Sequence, residues 1–338
     1  MVMLDIFNNS AFSTVELSEG IQNTPNNYGR VGQMGLFMPK PVRTTTVSIE
    51  INNGVLSLIE SSARGSAGAV NKRGKRSLKS FSVPHFSLSD TILADDVQNI
   101  RAFGNTGELE ATVDFINERM SEMSSKHDIT EEWLKVTALR GTVLDADGSV
   151  LLNLFTDFGV SETVKFFNFA SDTADIKKTA LDVKRHIEQS LKGDTMTGVH
   201  ALCSSSFFDK LTSHPVVEAA YAYQQGITAQ RNDLRKGFTW QDITFEEYVG
   251  TATDADGTDH PFIPDGDVRF FPVGTNSTFR QYWAPADMMQ FVNTPGAPRY
   301  ASIEMLDHDK GIEVQTQMNP LPICMRPAVL VRGNIAAS

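Results

Sequence analysis

The chain has 338 residues, of which 41% are hydrophobic, enough for one elaborate domain or two to three lobes with a real core. Charged residues make up 21%, slightly under the usual ~25%, which points to some surface being covered by partners. The net charge of −11 argues against a dedicated DNA binder, because neutralising phosphates needs basic surface.

Residues 1–40 read as an extended arm, with scattered apolar residues and a Gly-, Asn- and Pro-rich stretch (NTPNNYGRVGQMG) that breaks any helix. Short helices fit within 4–22; the rest would draw its stability from lying on other surfaces. Thr44–Ile51 alternates at Val47, Ile49 and Ile51 and predicts a strand. Asn52-Asn53-Gly54 is a turn signal, Val55–Ile59 continues as strand, and Ser80–Phe86 returns as its partner. Spacings of 4, 3, 4 and 3 through Leu109, Val113, Ile116, Met120 and Met123 predict a long helix capped at Thr106. It either continues or restarts at Thr130, with Trp133, Val136 and Leu139 inward and Gly141 as the stop. Unbroken, it would be ~50 Å long, a spine for the molecule.

Thr142–Phe155 reads as a hairpin turning at Asp145-Ala-Asp147-Gly148. Asp172–Lys192 reads as an amphipathic helix with Ile176, Ala180, Val183, Ile187 and Leu191 inward. A buried strand is expected at Val199–Cys203, helices at 205–212 and 214–225, and a loop at 226–237. Phe238–Val249 follows as strand, Thr251–Gly266 as a long polar loop, and Val268–Val273 as a second buried strand. The last third alternates short strands, among them Ile312–Met318 and Ala328–Arg332, with Pro and Gly. No internal repeat is visible.

The most informative segment is 61–79, SSARGSAGAVNKRGKRSLK. It carries Arg64, Lys72, Arg73, Lys75, Arg76 and Lys79, and no acid stands between Glu60 and Asp90. Small residues of this kind build no core, and the charge suits a negative partner. In so acidic a chain, that partner is most simply a second copy. A nucleic-acid contact is weaker because no aromatics interleave to stack on bases. A solvated loop is the bland alternative, since single exposed ion pairs are worth only ~0–1 kcal/mol.

Chemical motifs are scarce. Gly74-Lys75 is followed by Arg76, and Ala69 stands where a phosphate loop needs its first Gly. The runs at Asp145 and Asp254–Asp259 lack the Glu that closes a calcium loop and read as turns, although His260 leaves room for an adventitious cation. Ser204–Ser206 lacks the nucleophile elbow, and the seven histidines are scattered. The residues therefore predict no catalytic, cofactor or metal site. Cys203 and Cys324 sit in apolar runs and read as buried free thiols. No apolar run approaches the ~18 residues of a membrane span, and Asp5 spoils a secretion signal, so a cytoplasmic protein is expected.

The element order, the length, and strings such as MGLFMPKPVRTTTVSIEINNGVLSLI and VHALCSSSFFDKLTSHPVVEAAY resemble the lambda-type major capsid proteins of tailed phages over nearly the whole chain. That resemblance implies an α+β fold with an N-terminal arm (1–42) and an extended hairpin loop reaching onto a neighbour (43–86). A peripheral domain would hold the spine helix (87–141 and 301–338), and an axial domain (142–300) would have the 251–266 loop as a candidate tip. It implies a virion shell protein, assembled in the host cytoplasm as pentamers and hexamers around double-stranded DNA. With no coiled-coil leader in view, it also implies a separate scaffolding protein, together with decoration and portal proteins. A bacterial nanocompartment shell of encapsulin type is the alternative on the same fold.

Overall fold

The computed structural model describes Ser18 and residues 29–52, 76–97, 108–169, 175–225, 235 and 237–335. In chain order the described elements begin with α1 (Arg30–Gln33), β1 (Met38–Pro41), β2 (Thr46–Asn52), β3 (Arg76–Ser82), β4 (Phe86–Leu93), α2 (Ala94–Val97) and α3 (Glu108–Leu139). Next come β5 (Thr142–Leu144), β6 (Val150–Asn153), α4 (Leu154–Phe158), β7 (Thr163–Phe166), α5 (Ile176–Ser190), β8 (Gly198–Cys203), α6 (Ser205–Thr212) and α7 (Pro215–Gln225). The remainder is strand: β9 (Phe238–Trp240), β10 (Ile243–Glu247), β11 (Thr251–Thr253), β12 (Asp259–Pro261), β13 (Asp267–Val273), β14 (Phe279–Trp283), β15 (Tyr300–Met305), β16 (Gly311–Met318), β17 (Pro320–Cys324) and β18 (Val331–Asn334).

The spine is one helix. Thr130 does not cap a restart; its hydroxyl donates to the Lys126 carbonyl at 2.8 Å, one turn back, and the helix runs on. Its two halves serve different cores. Ile116, Met120 and Met123 pack with Ile92, Ala301, Ile312 and Val314 under the three-stranded sheet β15-β16-β4. From His127 onward the helix is buried almost all round, and Trp133, Leu134, Val136 and Leu139 belong to the large core. Gly141 ends it with φ +86°, where a Cβ would collide with the Phe155 ring.

The large core is built on a six-stranded mixed sheet, β7-β18-β13-β8-β10-β9. Its central strands β8 and β13 are buried nearly throughout, as expected of apolar runs covered on both faces. Helix α5 lays Ile176, Ala180, Val183 and Ile187 into that core, capped by Asp175, whose side chain accepts from Lys178 N. A second three-stranded sheet, β1-β14-β17, joins the first described strand to the last third of the chain.

Several boundaries differ from the sequence expectation. Strand β6 stops at Asn153, whose side chain accepts from Thr156 N and starts α4. The 238–249 strand is folded back on itself, because Gln241 and Asp242 take positive φ and turn β9 onto β10. The 251–266 loop contains the hairpin β11-β12. Strand β3 begins at Arg76, and beyond Pro84 the chain enters another sheet through β4. Pro327–Val329 is a 3₁₀ turn, so the strand expected at 328–332 becomes β18, lodged between β7 and β13. The turn at Asn53-Gly54 and the strand at 55–59 lie outside the described residues.

Candidate intersubunit surface

The basic hairpin is anchored at its base. β2 and β3 pair antiparallel from Thr46↔Ser82 to Asn52↔Arg76, so residues 53–75 leave and re-enter at one end of the ribbon. On the inner face Val47, Ile49 and Phe81 are buried, and Phe81 stacks on Phe158 of α4 at 6.2 Å between ring centres. Lys79 shares that face and reaches Asp157 of its own subunit at 3.6 Å. Of the six cations singled out in the sequence, Lys79 is therefore engaged at home. Arg76 is placed by backbone pairing opposite Asn52. Arg64, Lys72, Arg73 and Lys75 lie outside the described residues. On the outer face, where Ser48 and Ser80 share a hydrogen bond at 3.0 Å, Leu78 stands 71% exposed.

The arm is tied down where it enters the body, which its sequence gave no reason to expect. Glu132, buried on the spine, accepts from Val31 N at 2.7 Å, Gly32 N at 2.9 Å and Tyr248 Oη at 2.8 Å. Burial and then the Glu132 charge push the Tyr248 phenol far above its ordinary range, so it stays a donor. Arg30 forms a two-pronged pair with Glu246 at 2.5 and 3.0 Å, and Glu246 also meets His200 Nε2 at 3.1 Å. Burial alone would raise the Glu246 carboxyl, but bonds from His200 and Arg30 outweigh it and hold the group low. Beyond this clasp, β1 runs parallel to β14 and fixes Met38 opposite Arg280 and Pro41 opposite Trp283. Further back, Ser18 bonds both backbone groups of Ala301 at 3.0 and 3.2 Å. Residues 29–41 are thus stitched into their own subunit. A legible hint was the acid pair Glu131-Glu132 beside Trp133 on the apolar stripe of the spine.

The Asp-rich turns are internally satisfied. Asp254 Oδ1 accepts from Asp256 N and Thr258 N, while Oδ2 faces His260 Nε2 at 2.9 Å. Asp145 and Asp147 accept from backbone N–H groups of their own turn. Among the described residues no group of three or more His, Cys, Asp or Glu could hold a metal ion, and no helix is long and apolar enough to cross a membrane. Cys203 and Cys324 are buried free thiols; burial pushes Cys324 up to about 12 and Cys203 well above its ordinary value.

The subunit is α+β with two cores, one long helix bridging them and the β2-β3 ribbon packed against the larger. Residues 13–335 match the family of phage major capsid protein E, and the chain belongs to that family. The major capsid protein of Salmonella phage Felix O1 is 28% identical over 359 aligned positions, covering 97% of this chain and 98% of the relative. That of Pseudomonas phage KPP10 is 28% identical over 345 positions, covering 96% and 97%. Among solved structures, a protein assigned as a prophage capsid protein of Escherichia coli CFT073 shares the fold with a TM-score of 0.64 at 15% identity, over 96% of this chain and 99% of that one. The mature capsid of bacteriophage PhiM1 does so at 0.51 and 13%, over 90% and 86%. The chain is a major capsid protein, a shell-forming component of the phage virion.

Proposed function

We propose that the chain closes an icosahedral head as pentamers and hexamers of itself around double-stranded DNA, and that the basic hairpin tip straps each copy to a neighbour. The observation that carries the strap is the change along the ribbon. Its inner face is locked to its own subunit through Val47, Ile49, Phe81 and Lys79, while Leu78 on the other face, two residues after Arg76, is left exposed. An apolar side chain beside a run of positive charge fits a protein surface better than solvent. Arg64, Lys72, Arg73, Lys75 and Arg76 would supply the charge, and the acidic bulk of the next copy would receive it.

The role is mechanical rather than enzymatic. Each modest contact is repeated around a closed symmetry, so multivalency makes the whole hard to reverse. The β15-β16-β4 lobe would act as the peripheral part, and the 142–300 lobe as the axial part, with the β11-β12 hairpin near the five- and six-fold centres. A separate scaffolding protein would guide assembly in the host cytoplasm, with decoration and portal proteins completing the head. The test is the simultaneous exchange of Arg73, Lys75 and Arg76 for Gln. Electron microscopy should show fewer or less stable shells from subunits whose circular dichroism and melting are unchanged. Normal heads of unchanged thermal stability would sink the strap.

A further inference from the structure

Four apolar residues crowd into five positions on the connection between β14 and β15. Met288, Met289, Phe291 and Val292 are interrupted only by Gln290. Met289 is 90% exposed and Val292 58%, while Met288 and Phe291 are half-buried. Exposed apolar side chains scattered one at a time are ordinary on a protein surface. A contiguous run of them marks a surface that something covers.

The run is held in one shape by its own subunit. On its N-terminal side Asp287 N donates to Gln317 Oε1 at 3.0 Å. On its C-terminal side Gly296 N donates to the Val42 carbonyl at 2.9 Å, and Ala297 N to Tyr300 Oη at 2.6 Å. The Phe291 ring packs on Tyr300 with 4.7 Å between centres. Asn293 turns the chain at φ +61°, a conformation Asn tolerates. An apolar surface already fixed in this way has little freedom left to lose on docking. Met and Phe are also the side chains that interface centres favour.

Charge selects the occupant. From Met288 to Pro298 the sequence MMQFVNTPGAP holds no Asp, Glu, Lys, Arg or His, in a chain of which 21% is charged. Around a rotation axis every copy brings the same side chains to the same place, so a charged loop would face its own charge. A neutral, apolar loop is compatible with itself. We propose that this loop is a self-contact, in which the Met289–Val292 turns of neighbouring copies meet one another about a rotation axis of the shell. The contact rests on the shell-forming role and is separate from the hairpin strap, whose cations need an acidic receiver.

The test places a thiol at the turn with Met289→Cys and treats assembled shells with a short bis-maleimide. Cys203 and Cys324 are buried, so wild-type shells should run as monomers on a denaturing gel. Shells of the variant should give cross-linked dimers, and dissociated subunits at the same concentration should not. In a second arm, Met289→Asp and Met289→Lys should each lower shell yield several-fold, because like charges then meet at the axis. Subunit melting should stay unchanged, since the side chain lies in solvent before assembly. Mixing the two variants should restore part of the yield, because opposite charges then meet. Variant shells that stay monomeric overturn the contact, as do charge variants with wild-type yields or a mixture no better than either variant alone. A thiol that is shielded from maleimide in the shell yet never cross-linked would give the loop to a different partner and overturn it too. Wild-type chains that form no shell would instead refute the shell-forming role itself.

Discussion

A Cβ placed on Gly29 would collide with Oε2 of Glu132, the carboxylate that holds Val31 N and Gly32 N. Gly29 sits at φ +103°, a conformation side chains resist. Gly29 of the arm and the C-terminal part of the spine are therefore fitted to one another.

Gly29→Ala should destabilise the subunit by about 1–3 kcal/mol through backbone strain, with the displaced carboxylate adding to it. Hydrogen exchange should show lost protection in β1 before loss elsewhere. Unchanged exchange across Met38–Pro41 would refute the coupling.

Arg299 binds Asp128 and Glu131 at 2.8 Å each, all three largely buried, and Glu131 is further paired with Lys135 at 2.6 Å. Truncation to Ala takes a buried cation from Asp128 and leaves Glu131 with Lys135, and the expected loss is ~3–5 kcal/mol. Arg299→Lys keeps the charge without the fork and should recover part of it. Urea midpoints of the two variants provide the comparison.

His127 is held neutral. Burial first, and then Arg299, pull its pKa down to about 4 from 6.5, although its Nε2 meets Thr316 Oγ1 at 2.9 Å. Between those two values the unfolded chain binds more protons than the folded one, so stability falls as pH drops through that window, by at most ~3 kcal/mol. His127→Gln has no proton to take up. Its urea midpoint should change less than that of the wild type between neutral pH and about pH 5. Parallel pH curves for the two proteins would show that His127 contributes nothing to the acid limb.

Asp194 titrates lower still. Burial would raise it, but Thr278 and Ser277 hydroxyls and the backbone N–H groups of Ser277 and Asn276 hold it near 2. A depressed carboxyl stabilises the fold above its ordinary pKa near ~4 and loses that contribution as pH falls through the folded value. Asp194→Asn should therefore destabilise at neutral pH and flatten the loss seen below about pH 4. An unchanged acid limb would discount this staple between residue 194 and the 276–278 loop.

If the hairpin strap is electrostatic, assembly should slow with added salt, because the screening length shrinks from ~30 Å at 0.01 M to ~8 Å at 0.15 M. Exchange of Arg73, Lys75 and Arg76 for Gln should flatten that dependence. Light scattering over a salt series reads both slopes, and equal slopes would rule out these three cations as its source.

The sequence by itself determined the elements whose apolar spacing speaks locally. The spine stripe of Ile116, Met120 and Met123, the α5 face and the buried runs β8 and β13 all follow from periodicity and stop signals such as Gly141. The shell-forming class was legible too, through element order and local strings. What only the tertiary structure decided are pairings between residues far apart in the chain. Glu132 with the backbone N–H of Val31, Arg30 with Glu246, Arg299 with Asp128, and the guanidiniums around Asp267 join groups a hundred or more positions apart in most cases. A lone Arg or Glu in a sequence looks the same whether it is solvated or buried. Only packing removes the water, and once water is gone a charge must find an opposite one.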